Sequence, residues 1–262
     1  MSDKSSSPVT APLNASATPS RAALPRTGFT FKQFFVAHDR CAMKVGTDGI
    51  LLGAWASLQG VTKVLDIGTG TGLIALMLAQ RSPSDTQITA IDIDADACQQ
   101  AAENVAASPW PDKILIQHLP LQQLAAEASA EQFDLIVSNP PYFTPGVACR
   151  DNQREQARYT DTLTHQALLD AARPLLNPLG RLCLVLPYSA GLALQSAAEQ
   201  QGWFCYQNVS VSSREGKAPQ RILLEFGLSP QKTQNNTLVI NNSDGSYHCN
   251  YQDLTKDFYL FM

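Results

Sequence analysis

From Val64 to about Gly227 the chain alternates short apolar runs with longer stretches in which apolar residues recur every three or four positions. The short runs beginning at Val64 and over 88–93, 114–118, 133–138 and 181–186 are rich in Ile, Val and Leu, and predict strands buried on both faces. The periodic stretches over 72–81, 95–107, 120–129, 162–176 and 189–201 predict helices. Repeated strand–helix units imply a parallel sheet with right-handed crossovers and helices on both faces. Two late strands, about 203–211 and 220–227, follow one another with no helix between them, so that pair is expected to be antiparallel and at the sheet edge. The expected architecture is α/β, Rossmann-like, with a seven-stranded, mostly parallel sheet and an antiparallel edge strand.

The flanks differ from this core. Phe29 to Val36 alternates loosely and suggests a strand or hairpin ahead of the main sheet. In Lys44-Val-Gly-Thr-Asp-Gly, Thr47 or Asp48 is placed to cap a helix whose apolar positions begin at Ile50. Residues 1–26 are mostly Ser, Ala, Pro and Thr, lack the apolar segment of a secretory signal, and read as a flexible tail. The main domain is expected over 27–228. Residues 229–246, rich in Asn, Gln, Ser and Thr, read as a linker to an aromatic terminal segment, 247–262, which is expected to pack on the body.

Composition narrows the functional classes. A chain of 262 residues with 44% hydrophobic positions can bury a full core, and no apolar run is long enough for a membrane-spanning helix. The formal charge of −4 does not advertise nucleic-acid binding, so any such binding needs a local basic face. Candidates are Lys32, Arg40 and Lys44, then Arg150, Arg154 and Arg158, and finally Arg214, Lys217 and Arg221. Six scattered cysteines without a CxxC pair read as reduced thiols of a cytoplasmic protein, and no metal site is expected.

Two motifs carry chemistry. Strand 133–138 ends in Asn139-Pro-Pro-Tyr142, at the carboxyl edge where open α/β sheets bind ligands. The prolines stop the strand and present carbonyl acceptors without donors, which suits an amino group held by its hydrogens while its lone pair attacks. An ordinary strand-to-loop exit would also produce such a segment. Val64-Leu-Asp-Ile-Gly-Thr-Gly-Thr-Gly72 is a strand followed by a glycine-rich turn and a helix, with Gly68, Gly70 and Gly72 in GxGxG spacing behind Asp66. This spacing differs from the dinucleotide GxGxxG and fits an amino-acid-like nucleoside, S-adenosylmethionine. A second strand, Ile88 to Ile93, carries Asp92 where a carboxylate would meet ribose hydroxyls.

With Lys44-Val-Gly-Thr-Asp-Gly, the GxGxG turn and Asn139-Pro-Pro-Tyr in that order, the chain resembles the class I S-adenosylmethionine-dependent methyltransferases that modify exocyclic amino groups. It is most similar to the bacterial tRNA adenine-N6 methyltransferases that act on the adenosine 3′ of the anticodon, adenosine 37, in valine tRNA. The resemblance includes Pro219-Gln-Arg221 and the ending Leu254-Thr-Lys-Asp-Phe-Tyr-Leu260. It implies that Asp66, Gly68, Gly70 and Gly72 line the methionine moiety and that Asp92 holds the ribose. It also implies that Asn139 and the Pro140 carbonyl accept from the adenine amine while Tyr142 stacks on the base. Lys44 and Asp48 match the family block, either touching cofactor or capping a helix. Many relatives carry an acidic residue after the third strand, where this chain has Gln117-His-Leu-Pro-Leu121, so no side chain is assigned to the cofactor's adenine. A monomer acting on tRNA is expected. The competing expectations are methylation of guanine N2 in ribosomal RNA, methylation of a release-factor glutamine, and an RNA-binding protein without catalysis.

Overall fold

The computed structural model describes residues 27–41, 44–127, 133–140 and 164–261. The expected tail at 1–26, Tyr142, and Arg150, Arg154 and Arg158 lie outside the described residues. The elements run β1 (Gly28–Thr30), β2 (Phe35–Ala37), α1 (Thr47–Trp55), β3 (Lys63–Ile67), α2 (Leu73–Arg81), β4 (Gln87–Asp92), α3 (Ala95–Ala106), β5 (Ile114–His118), α4 (Leu121–Glu127) and β6 (Phe133–Ser138). After the undescribed segment come α5 (His165–Ala172), a 3-10 turn (Arg173–Leu175), β7 (Leu176–Pro187), α6 (Tyr188–Gln200), β8 (Phe204–Arg214), β9 (Arg221–Gly227), β10 (Gln234–Asn241) and α7 (Cys249–Thr255).

The main sheet has the order β10-β8-β9-β7-β6-β3-β4-β5, and β1 pairs with β2 as a separate antiparallel hairpin. The α/β class and the mostly parallel sheet match the expectation, with two differences. The sheet has eight strands, because Gln234–Asn241, within the expected linker, pairs in parallel with β8. Of its residues only Leu238 is buried, so this edge strand offers no apolar run to detect. The antiparallel strand is β9, and it lies inside the sheet between β7 and β8. The turn after Arg214 folds β9 back into the space beside β7, leaving β8 and β10 outside it.

Successive residues on the central strands feed opposite cores. Val64, Leu135, Val137, Cys183 and Val185 pack on one face with α1, α2 and the hairpin, while Leu65, Ile67, Ile136, Leu182 and Leu184 pack on the other with α5 and α6. Burial on both faces explains why these strands read as continuous apolar runs. Helix α5 ends four residues earlier than its pattern suggested, because Pro174 supplies no amide hydrogen and the chain tightens into the 3-10 turn.

Helix α1 lies close on α2 through glycines one turn apart. A Cβ at Gly49 would sit 2.9 Å from Leu73 Cδ2, and one at Gly53 2.8 Å from Met77 Sδ. The aromatic segment near the end also docks: Tyr251 and Phe258 are buried, the Lys32 amide donates to the Phe258 carbonyl at 2.8 Å, and Phe29 meets Tyr259 edge-on.

Candidate active site

The chain leaves β3 at Ile67 and turns through three glycines with φ of 68°, 55° and 81° at Gly68, Gly70 and Gly72. Non-glycine residues rarely adopt this left-handed region. A Cβ at Gly68 or Gly70 would meet nothing within 4 Å, whereas one at Gly72 would lie 3.4 Å from Ala101 on α3. Gly72 therefore permits close packing of the turn on α3, and Gly68 and Gly70 leave backbone open to a ligand.

Carboxylates brace this turn from both sides. Asp66 is wholly buried, and its Oδ2 accepts from Thr69 Oγ1 at 2.7 Å. Its Oδ1 has no hydrogen-bond donor among the described residues. Burial pushes its carboxyl up to about 7, against the opposing hydrogen bonds from Thr69 and the Ala75 amide. Asp92, at the end of β4, accepts from the Gly70 amide at 2.9 Å and from the Asp94 amide at 3.0 Å. Burial raises its pKa also, and those amides oppose the rise. With at most three backbone donors on its four acceptor sites, the Asp92 carboxylate keeps room for a ligand hydroxyl.

On the other side of β3, Ser138 Oγ donates to the Ile67 carbonyl at 2.9 Å and ties the ends of β6 and β3 together. Asn139 follows directly, half-buried, and its Oδ1 is a buried acceptor with no donor among the described residues. Pro140 is buried. The order β6-β3-β4 thus brings Asn139, the glycine turn and Asp92 to one carboxyl edge, across about 10 Å at ordinary strand spacing. Lys44 is exposed. Neither Thr47 nor Asp48 is the cap: the N-cap of α1 is Gly46, without a side-chain cap bond, and both Asp48 oxygens accept from Arg221 Nε at 3.0 and 2.8 Å.

Residues 46–194 match the methyltransferase small domain family. The chain is 52% identical over 239 residues to tRNA1(Val) (adenine(37)-N6)-methyltransferase of Pectobacterium carotovorum subsp. carotovorum (strain PC1), covering 91% of this chain and 96% of the relative. It is also 52% identical over 243 residues to the enzyme of the same name from Salmonella paratyphi B (strain ATCC BAA-1250 / SPB7), covering 93% and 99%. The chain belongs to the tRNA1(Val) (adenine(37)-N6)-methyltransferase family. Among solved structures, a predicted O-methyltransferase from Agrobacterium tumefaciens superimposes with a TM-score of 0.61 at 17% identity, covering 80% of this chain and 96% of that one. That likeness establishes the class I methyltransferase fold.

A methyltransferase of this family uses S-adenosylmethionine, and the residues present fit it. The open backbone at Gly68 and Gly70 is a cradle that a side chain would fill, and Asp66 Oδ1, without a donor among the described residues, calls for a cationic or hydrogen-bonding partner such as an ammonium group. One contributor to the geometry around this turn gave no motif. Asn104 on α3 is fully buried, accepts from the Ala37 amide at 2.9 Å, and donates to the carbonyls of Ala37 and Thr71 at 2.9 and 2.8 Å. It thereby clamps β2 to the glycine turn. Its signal in the sequence is a polar residue on the face shared by Ala97, Ala101 and Val105.

Proposed function

We propose that the chain transfers a methyl group from S-adenosylmethionine to N6 of the adenosine 3′ of the anticodon, position 37, in valine tRNA. The observation that carries this reading is the buried Asn139 Oδ1, without a hydrogen-bond donor among the described residues, at the carboxyl end of β6 next to the glycine turn of β3. The relatives' shared name and their coverage of nearly the whole chain support the substrate.

When bound, the cofactor supplies a methyl group activated on a sulfonium. The chain's part is to hold the target amine. An exocyclic adenine amine is a weak nucleophile because its lone pair is delocalised into the ring. Asn139 Oδ1 and the Pro140 carbonyl accept its two hydrogens, favour a more tetrahedral nitrogen, and stabilise the positive charge that develops there. The fixed backbone at Pro140 and Pro141 keeps these acceptors in place and adds proximity. The extra proton is acidic once nitrogen is alkylated, so the step needs no dedicated base. Tyr142 stacks on the adenine, which leaves a single-stranded loop at modest cost. On the cofactor side, Asp66 faces the ammonium group, Gly68 and Gly70 admit the methionine moiety while Gly72 lets the turn pack on α3, and Asp92 takes the ribose hydroxyls. Lys44 lies in the segment that leads into α1. We assign the activity to a monomer in the cytoplasm, where its tRNA substrate is found.

The test is transfer of labelled methyl to unmodified total tRNA, ribosomal RNA and release factor, followed by nucleoside and amino-acid analysis. N6-methyladenosine confined to the anticodon loop of valine tRNA is the expected product. Label in N2-methylguanosine or glutamine would overturn the substrate, and absence of label with cofactor bound would overturn the catalytic assignment.

A further inference from the structure

We propose that Arg221 is a positioning residue for cofactor binding, acting through Asp48 to hold the first turn of α1 against the glycine turn. Arg221 opens β9, in register with Pro187 at the end of β7 and with Val211 in β8. It therefore stands at the same carboxyl edge from which Asn139 leaves β6, the neighbour of β7. Its Nε reaches Asp48, 173 residues earlier in the chain, at 2.8 and 3.0 Å, and the side chains are 34% and 17% exposed. Such a pair is screened less than a surface ion pair.

The next links are steric. Gly49 follows Asp48 and lies against Leu73, the first residue of α2, which follows Gly72 of the turn. Gly46 offers no side chain to fix the start of α1. The guanidinium is itself placed: Nη1 donates to the Gln220 carbonyl at 3.0 Å, and that carbonyl also accepts from the Tyr188 amide at 3.1 Å, where β7 passes into α6. One cation thus joins the end of β7, beside the target strand, to the helix that supports the cofactor cradle. Asp48 acts in this arrangement by holding α1.

The inference rests on the cofactor reading above and is independent of which nucleotide is methylated. Its test is calorimetric binding of S-adenosylmethionine to the RNA-free protein, with kcat and separate KM values for cofactor and RNA, in Arg221→Ala, Arg221→Lys, Asp48→Asn and the double variant Arg221→Ala/Asp48→Asn. Cofactor Kd and KM rise about tenfold in Arg221→Ala and Asp48→Asn, kcat stays within about twofold, and the double variant is no worse than either single. Arg221→Lys recovers most of the affinity, because one ammonium nitrogen can sit between the two Asp48 oxygens as Nε does. A rise in RNA KM alone, independent additive losses, or a lowered Tm with unchanged cofactor Kd would each overturn the proposal. Asp48→Asn, equal in shape, decides the matter should Arg221→Ala not fold. Because the calorimetric measurement contains no RNA, it stands even if the target nucleotide is another one.

Discussion

Replacing Asp66 by Asn removes a buried ionisable group and leaves its shape. The wild-type carboxyl is wholly buried and is raised from an ordinary 3.8 to about 7, with burial as the largest cause. Between those values the unfolded chain has released this proton and the folded chain still holds it. Stability therefore falls as pH rises through that window and levels off above about 7. At 1.36 kcal/mol for each tenfold difference, the loss between pH 5 and pH 8 is about 3 kcal/mol. The Asn variant has no such proton to release, and its amide nitrogen takes the place of Oδ1, which has no donor among the described residues. Urea denaturation of both proteins at pH 5, 6, 7 and 8, without cofactor, should show the variant gaining about 3 kcal/mol on the wild type across the series. Saturating S-adenosylmethionine should flatten the wild-type slope, because an ammonium group beside Oδ1 favours the ionised form. For the same reason wild-type cofactor affinity should weaken by up to about tenfold for each pH unit below 7, and the variant's should not. Parallel pH curves for the two proteins would refute the argument, since Asp66 would then titrate alike in the folded and unfolded chains.

Asn139→Ala should lower kcat by at least about 10²-fold while leaving cofactor Kd within about twofold, checked by single-turnover methylation and calorimetry; ordinary turnover would remove Asn139 from the amine site. Gly70→Ala forces an alanine into φ near 55°, at a cost of about 1–2 kcal/mol, and sets a methyl group in the open cradle. Its cofactor Kd should weaken at least about tenfold, and native affinity would show that the cofactor lies elsewhere. Asn104→Ala strands the Ala37 amide and the carbonyls of Ala37 and Thr71, so unfolding free energy should drop by about 3 kcal/mol. A drop below about 1 kcal/mol would mean that those groups find other partners.

The parts of this molecule written in local pattern were legible in its sequence. Strand β3, the glycine turn and α2 form one continuous stretch, and a strand buried on both faces reads the same in every context, so Asp66, Gly68, Gly70, Gly72 and Asp92 could be placed at one edge. Asn139 was placed by the prolines behind it. Features decided by distant partners were not legible. Gln234–Asn241 is a strand only because the outer edge of β8 accepts it. Thr47 and Asp48 have the composition of helix caps, yet Asp48 is taken by an arginine from the far end of the chain. Asn104 bonds to Ala37 and Thr71, and Ser138 to Ile67, across 33 to 71 residues, and no periodicity reports contacts of that kind.

The docking of residues 251–259 on the β1–β2 hairpin bears on how the protein is made. Phe31 and Phe34 stack 4.6 Å apart, and the segment that helps to cover them is synthesised more than two hundred residues later. Until that segment is made, and in any refolding intermediate that lacks it, the sides of Phe29 and Phe31 that meet Tyr259 lack that cover. A chain lacking residues 251–259 therefore leaves part of this aromatic face uncovered, and a holding chaperone that recognises aromatic segments would be expected to bind near residue 30.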